Sequence, residues 1–408
     1  MTRTGAGLHT PSTPALHITV AQPLAANGWT TDSKLLGQLV DEGGISSSKL
    51  AKIAMPSKDD DARLKSLQQT FAKHDMLQVV GDPTYLQAMA MPTRVDGITQ
   101  PALFDITAYS AMNNAPAYSA AGINDRQMVR SRKPGKTYQS ALGDSNADIT
   151  AYAWQGNGNW TLQALTKARQ QGYGTVIATH DFEEDDADTV RTGKTVVSTD
   201  AGDVTVLSAQ NVLSGLAQGK ATSDDANADS EGTTAGRLAR FVAQSAFYQM
   251  EQPYAERNLL VCLNEDSDPS VVDALMSDIE QSPWLNLTDL ATLKDADISE
   301  DAASMSTDLP QTDGLTDSMR SDVQQTLSAL ANSSSNIKRF NTSILVKPNG
   351  KDESDVNTWS RQLTNAHTIM APARVGRRKP FQKHDGGRRE PARGPADQRC
   401  GDHADGKA

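Results

Sequence analysis

Three groups of side chains in this sequence have the types and spacing that chemistry uses. His180-Asp181-Phe182-Glu183-Glu184 follows the apolar, β-rich run Thr175–Thr179 and sets an imidazole beside carboxylates. Such a set holds a divalent cation or moves protons to and from water. Asp82 follows a second run, Met76–Val80, in the turn Gly81-Asp82-Pro83. Facing another acid across a cleft, it would serve glycoside chemistry. Trp154 and Trp160 bracket the turn Gly156–Asn159 and offer flat faces to a sugar ring.

Each group also has a plainer reading. The 180–184 loop is equally a solvated acidic turn. Asp82-Pro83 has the form of a helix N-cap with proline at the first helical position. Large aromatics beside a strand are commonly core. The candidate catalytic residues are therefore Asp82, His180 and Asp181, and the candidate ligand contacts are Trp154, Trp160 and Glu183. The metal is unassigned, and no cofactor is expected.

Positioning these residues requires strands that end just before them. Leu16–Val20, Met76–Val80, Ile149–Trp154, Thr175–Thr179 and Asn258–Leu263 read as strands. Helical patterns fill the intervals: Thr31-Asp32-Ser33 caps one, Ser46–Ser48 precedes another reaching Met55, and Asp59–Asp61 opens a third. Longer helices are expected over about 234–250 and 270–281. Val196-Val197 and Val204–Leu207 read as a hairpin around Asp200–Asp203. Strand–loop–helix alternation argues for a mostly parallel sheet, open or barrel-like, over 15–295. In such folds the loops after the strands' C-terminal ends carry function.

Outside that α/β domain the composition changes. Residues 1–14 are polar and expected to be mobile, 111–148 are loop-rich with a basic knot from Arg126 to Lys136, and 296–314 read as a linker. An incomplete helical and β region follows over 315–372, with a strand candidate at Thr342–Val346. Residues 373–408 carry ten basic and five acidic side chains, against a net −11 for the whole chain. From Gly376 onward Ser, Thr, Leu, Ile and Val vanish. That is expected of a disordered basic tail, and of a GC-rich gene read out of frame.

The net charge of −11 disfavours sequence-independent binding of nucleic acid. Mean hydropathy is −0.51, yet apolar residues fall in periodic blocks that can build a core. No run of 18 apolar residues is present, so no transmembrane helix is expected, and the first residues lack a secretory h-region. The two cysteines, Cys262 and Cys400, form no metal-like spacing. Gly193-Lys194-Thr195 and Gly135-Lys136-Thr137 fail as phosphate loops, because Asp188 and Arg130 stand where the first glycine belongs. Gly156-x-Gly158 lacks the third glycine of a dinucleotide fingerprint, with Thr161 in its place. There is neither a G-x-S-x-G elbow nor an H-E-x-x-H.

Leu238–Phe247, continuing through Glu251-Gln252-Pro253 to Arg257–Val261, then Asp268–Leu275 and Ser282-Pro283-Trp284-Leu285, resembles an uncharacterised family of actinobacterial cell-envelope proteins. The specific run covers about 235–292; upstream, over 75–217, the likeness is one of strand–helix rhythm. The resemblance implies a longer parent with an export signal, a barrel-like α/β region, a β-rich region and a C-terminal membrane anchor. It implies an extracytoplasmic setting in wall or polysaccharide biogenesis, with glycan or envelope proteins as partners. This chain departs from that plan in lacking the signal and the anchor, and is expected to be a fragment. The expected function is a noncatalytic glycan- or partner-binding scaffold; the alternative is a carbohydrate-active hydrolase or deacetylase. Whether the protein is an enzyme stays open at this level.

Overall fold

Alternating Leu, Ile and Val send one face of Leu16–Leu24 into an apolar core, and this run is strand β1 of the computed structural model. The structure describes residues 14–26, 29–41, 46, 49, 52–88, 94–123, 139, 145–146, 149–154, 159–180, 182, 189–223, 228–298, 309–310, 315–343, 364, 367–368, 371 and 375. The chain divides into Met1–Gly376 and Arg377–Ala408, and everything described lies in the first unit. The N-terminal segment before Pro14, the basic knot and the tail lie outside the described residues.

After β1 come β2 (Trp29–Thr31), helix α1 (Ser33–Asp41) and β3 (Ala54–Pro56), which pairs antiparallel with β2. Asp32 caps α1, its Oδ1 accepting from Lys34 N at 2.9 Å and Leu35 N at 3.0 Å. The helix expected up to Met55 is corrected here: Ala54 and Met55 are strand, because Trp29–Thr31 supplies a ladder that local propensity does not reveal. Helix α2 (Lys58–Lys73) starts at its Ser57 cap with Asp59, Asp60 and Asp61 in the first turn.

Strand β4 (Gln78–Gly81), helix α3 (Pro83–Ala88), strand β5 (Gly97–Ile98) and a 3-10 turn at Pro101–Leu103 follow. Helices α4 (Ile106–Met112) and α5 (Ala115–Ala120) occupy part of the stretch expected to be loop-rich. Then come β6 (Ala153–Trp154), α6 (Leu162–Gln170), β7 (Thr175–Ala178), β8 (Lys194–Val197) and β9 (Val204–Ser208). The expected hairpin is present: β8 and β9 pair antiparallel, and Gly202 takes φ +108° in the turn, where a side chain would be strained.

Helix α7 (Asn211–Ala217) and the long α8 (Thr234–Glu251) lead to β10 (Asn258–Cys262), α9 (Pro269–Glu280), β11 (Leu285–Leu287) and α10 (Leu290–Asp295). Helix α11 (Asp317–Ser343) follows. It takes in Thr342 and Ser343, so the strand expected to begin there is corrected to a helix end; 344–346 lie outside the described residues.

The architecture is α/β with mixed parallel and antiparallel sheets. One sheet runs β10-β1-β4-β5, with β11 also on β1; the other runs β6-β7-β9-β8. All pairings within them are parallel except β8 with β9. Outside the first sheet, Leu64, Leu67, Phe71, Phe241, Leu275 and Ile279 form one core with Ile18 and Val20. Outside the second, Tyr118, Trp160 and Leu165 pack with Val323, Leu327 and Leu330 of α11.

One polar fastening joins α2 to α9, and a cap starts α9. His74, 1% exposed, sets Nδ1 2.8 Å from Glu280 and Nε2 2.9 Å from Asp273, while Lys73 Nζ reaches Asp273 at 2.7 Å. At the other end of α9, Asp268 accepts from the Ser270 amide at 2.8 Å and its hydroxyl at 2.6 Å. The Ser270 hydroxyl first, then that amide, hold the Asp268 carboxyl below its ordinary range. A depressed carboxyl contributes stability that is complete above its unfolded value, about 3.9, and is lost as pH falls through the lower folded value. We therefore expect Asp268→Ala to cost about 1 kcal/mol at pH 7 by urea denaturation. The gap to the parent protein should close as the same titration is repeated at pH 3 and below.

Candidate functional site

Strand direction decides where loop residues gather. Ile98 bridges Ala151 in the parallel sense at one border between the sheets, and Ala209 bridges Leu260 likewise at the other. These bridges carry the parallel sense from one sheet to the other, so the C-terminal ends of β4 and β7 face the same way. Asp82 directly follows β4 and His180 stands two residues beyond β7, so both emerge at that end. Asp181 and Glu183 lie outside the described residues.

The border at Ala209 depends on a glycine. Gly193 N donates to the Asn258 carbonyl at 2.8 Å, and the Gly193 carbonyl accepts from Ser208 N at 2.9 Å. A Cβ at Gly193 would stand 2.5 Å from the Ser208 carbonyl oxygen. The glycine of Gly193-Lys194-Thr195 is thus explained by close approach of two backbones, not by a phosphate.

Between the sheets lies a third apolar cluster. Ala21, Val80, Tyr152, Trp154, Ile177, Leu207, Leu260 and Cys262 supply it from the strands, with Leu290 and Leu293 of α10. Trp154 is 6% exposed within it, whereas Trp160 is 1% exposed and belongs to the core around α11. The two tryptophans serve different cores and do not make one stacking platform. Burial pushes the Cys262 thiol well above its ordinary range, so it sits here as a small apolar group.

Asp82 is 3% exposed, and its Oδ1 accepts from Thr84 N and from Ala102 N, each at 2.8 Å. The first bond caps α3, as Asp82-Pro83 suggested. The second reaches across to the 3-10 turn after β5, where Ala102 (φ +57°) and Leu103 (φ +47°) both take left-handed backbone. Two consecutive non-glycine residues in that region are costly, and the Asp82 carboxylate braces the first of them.

Beside Asp82, Gln100 joins the sheets where β5 ends. Its Oε1 accepts from Trp154 N at 2.9 Å, and its Nε2 donates to the carbonyls of Trp154 at 2.8 Å and Phe104 at 3.0 Å. It substitutes for a strand residue. Sequence reasoning missed it, since a lone glutamine after an Ile-Thr pair carries no signal. Asp105, 1% exposed, caps α4 through Ala108 N at 2.7 Å. Among the described residues no three His, Cys, Asp or Glu side chains come together as a metal site.

Thus one end of the parallel strands carries a buried, oriented carboxylate, a strained turn, a buried tryptophan and a histidine. No curated protein matches the chain. A crystal structure from Mycobacterium smegmatis, titled "putative polysaccharide deacetylase", aligns with 76% of this chain and 96% of its own. The identity is 9% and the TM-score 0.40. The sequence profile of the Family of unknown function (DUF6049) matches residues 1–392, and the chain belongs to that family.

Proposed function

We propose that the chain is a carbohydrate-active α/β barrel working in the cell envelope, with its functional surface at the C-terminal ends of the parallel strands. The observation that carries this reading is Asp82: an almost fully buried carboxylate, oriented by two amides, on the same side as His180. Barrel closure is part of the proposal. It is supported by the two parallel bridges and by the apolar cluster that both sheets line. As a hydrolase or deacetylase, Asp82 would take a proton from the attacking water, and His180 with Asp181 would hold that water or a metal. A second reading, a noncatalytic glycan- or partner-binding scaffold, is favoured by the double use of Asp82 Oδ1 as a brace.

Asp82→Asn separates them, because the amide oxygen still accepts from Thr84 and Ala102 while the charge is gone. The full chain and this variant are offered acetylated wall glycans, and acetate, new reducing ends and bound glycan are measured. Release by the parent protein, falling about 100-fold or more in Asp82→Asn, supports the catalytic reading. Equal binding without release supports the scaffold. Neither binding nor release removes the carbohydrate proposal.

A further inference from the structure

The second amide on Asp82 comes from a turn under strain. Ala102, whose N–H reaches the carboxylate at 2.8 Å, sits at φ +57° and ψ +28°, and Leu103 follows at φ +47°. Left-handed backbone suits glycine and costs other residues a steric penalty. Neither residue type calls for it. Pro101 cannot absorb the bend, because its ring fixes φ, so the bend falls on the next two residues. Such a conformation persists only where its surroundings hold it.

The buried Gln100 does the holding. Its side chain closes the turn that it begins: Nε2 donates to the Phe104 carbonyl, four residues on, at 3.0 Å, and to the Trp154 carbonyl at 2.8 Å. Oε1 accepts from Trp154 N at 2.9 Å, which ties the turn to β6 as well. The backbone adds Leu103 N to the Gln100 carbonyl and Phe104 N to the Pro101 carbonyl, each at 3.2 Å. Phe104 is itself anchored, wholly buried and edge-on to Tyr109 and Tyr118. Both ends of the turn are thus fixed, and the Ala102 N–H between them points at the Asp82 carboxylate. Thr84 N donates to the same oxygen, but that bond belongs to the local cap of α3 and does not pass through Gln100.

We propose that Gln100 is a positioning residue for Asp82: by holding the left-handed turn it aims the Ala102 amide at the carboxylate, and so fixes how that carboxylate meets a bound substrate; this role presupposes the catalytic use of Asp82 proposed for the rim. Without the clamp, Ala102 and Leu103 relax to right-handed backbone and the amide swings away, which removes one of the bonds that orient Asp82. Misplacing a reacting group costs rate rather than affinity.

The test is a rescue. Gln100→Met is similar in size and deletes every side-chain bond of the clamp. In the full chain it is expected to speed hydrogen exchange at the Ala102 amide about tenfold or more, with Thr84 changed less than about threefold. Adding Ala102→Gly, which takes the left-handed shape without strain, is expected to restore protection at that amide although Gln100 is still missing. On an acetylated wall glycan, kcat should fall about tenfold in Gln100→Met at nearly constant KM, and recover in the double variant. If Gln100 only ties β5 to β6, Ala102→Gly restores nothing, and that result overturns the proposal. Unchanged exchange at Ala102, or an equal loss of protection at Thr84, overturns it too. Where Gln100→Met alone does not fold, folding of the double variant supports the role and its failure to fold overturns it. A parent protein that releases nothing from glycan removes the catalytic reading of Asp82, while the exchange rates still decide whether Gln100 positions it.

Discussion

Arg257→Met is expected to cost about 3–5 kcal/mol of folding stability, the range for stripping one partner from a buried charged network. Arg257 is 3% exposed, and its Nη2 donates to the Tyr248 carbonyl at 2.7 Å and the Gln252 carbonyl at 3.3 Å. Those are carbonyls at the end of α8, which no further helical amide can reach. Glu251 Oε2 stands 3.8 Å from Nη1. Methionine keeps the apolar stem but leaves the carbonyls and the Glu251 carboxylate without their cation. Guanidinium or urea denaturation followed by circular dichroism would read the loss, and a change under 1 kcal/mol would mean that water replaces the guanidinium without penalty.

The second large effect is expected at Trp160. Truncation to alanine should remove about 3–5 kcal/mol, since the indole is fully enclosed and its neighbours cannot collapse into the space. Those neighbours come from α5, α6, β7 and the distant α11, so the void would loosen elements more than 150 residues apart. The same variant examines the sugar-stacking idea. A stacking residue would lose glycan affinity while keeping its denaturation midpoint; Trp160 is expected to do the reverse.

Much of the strand–helix order is legible in the sequence because apolar blocks of four or five residues alternate with amphipathic ones. The hairpin at 194–208 and α8 stand almost where the pattern puts them. Asp32 and Asp82 are readable as caps because each precedes a helical run. What the sequence hides is pairing over distance. Nothing local says that Leu16–Leu24 lies between Gln78–Gly81 and Asn258–Cys262, because parallel strands joined by long crossovers leave no turn signature. His74 is similar: an isolated histidine in the chain becomes doubly bonded only when α9, about 200 residues later, delivers Asp273 and Glu280. The candidate site divides along the same line. Asp82 is visible as a turn residue, but its second bond, to Ala102, depends on a left-handed kink that no residue type announces.

The placement of β1 has a consequence for synthesis. Residues 16–24 leave the ribosome well before their partner, and one edge of that strand stays unpaired until Asn258–Cys262 emerges about 240 residues later. At ordinary elongation rates, about 5–20 residues per second, that edge waits some 10–50 s. During the wait it is an unpaired β-edge rich in Leu, Ile and Val, the kind of segment that recruits other chains. A nascent chain arrested before residue 258 should therefore depend on chaperone far more than one arrested after residue 295.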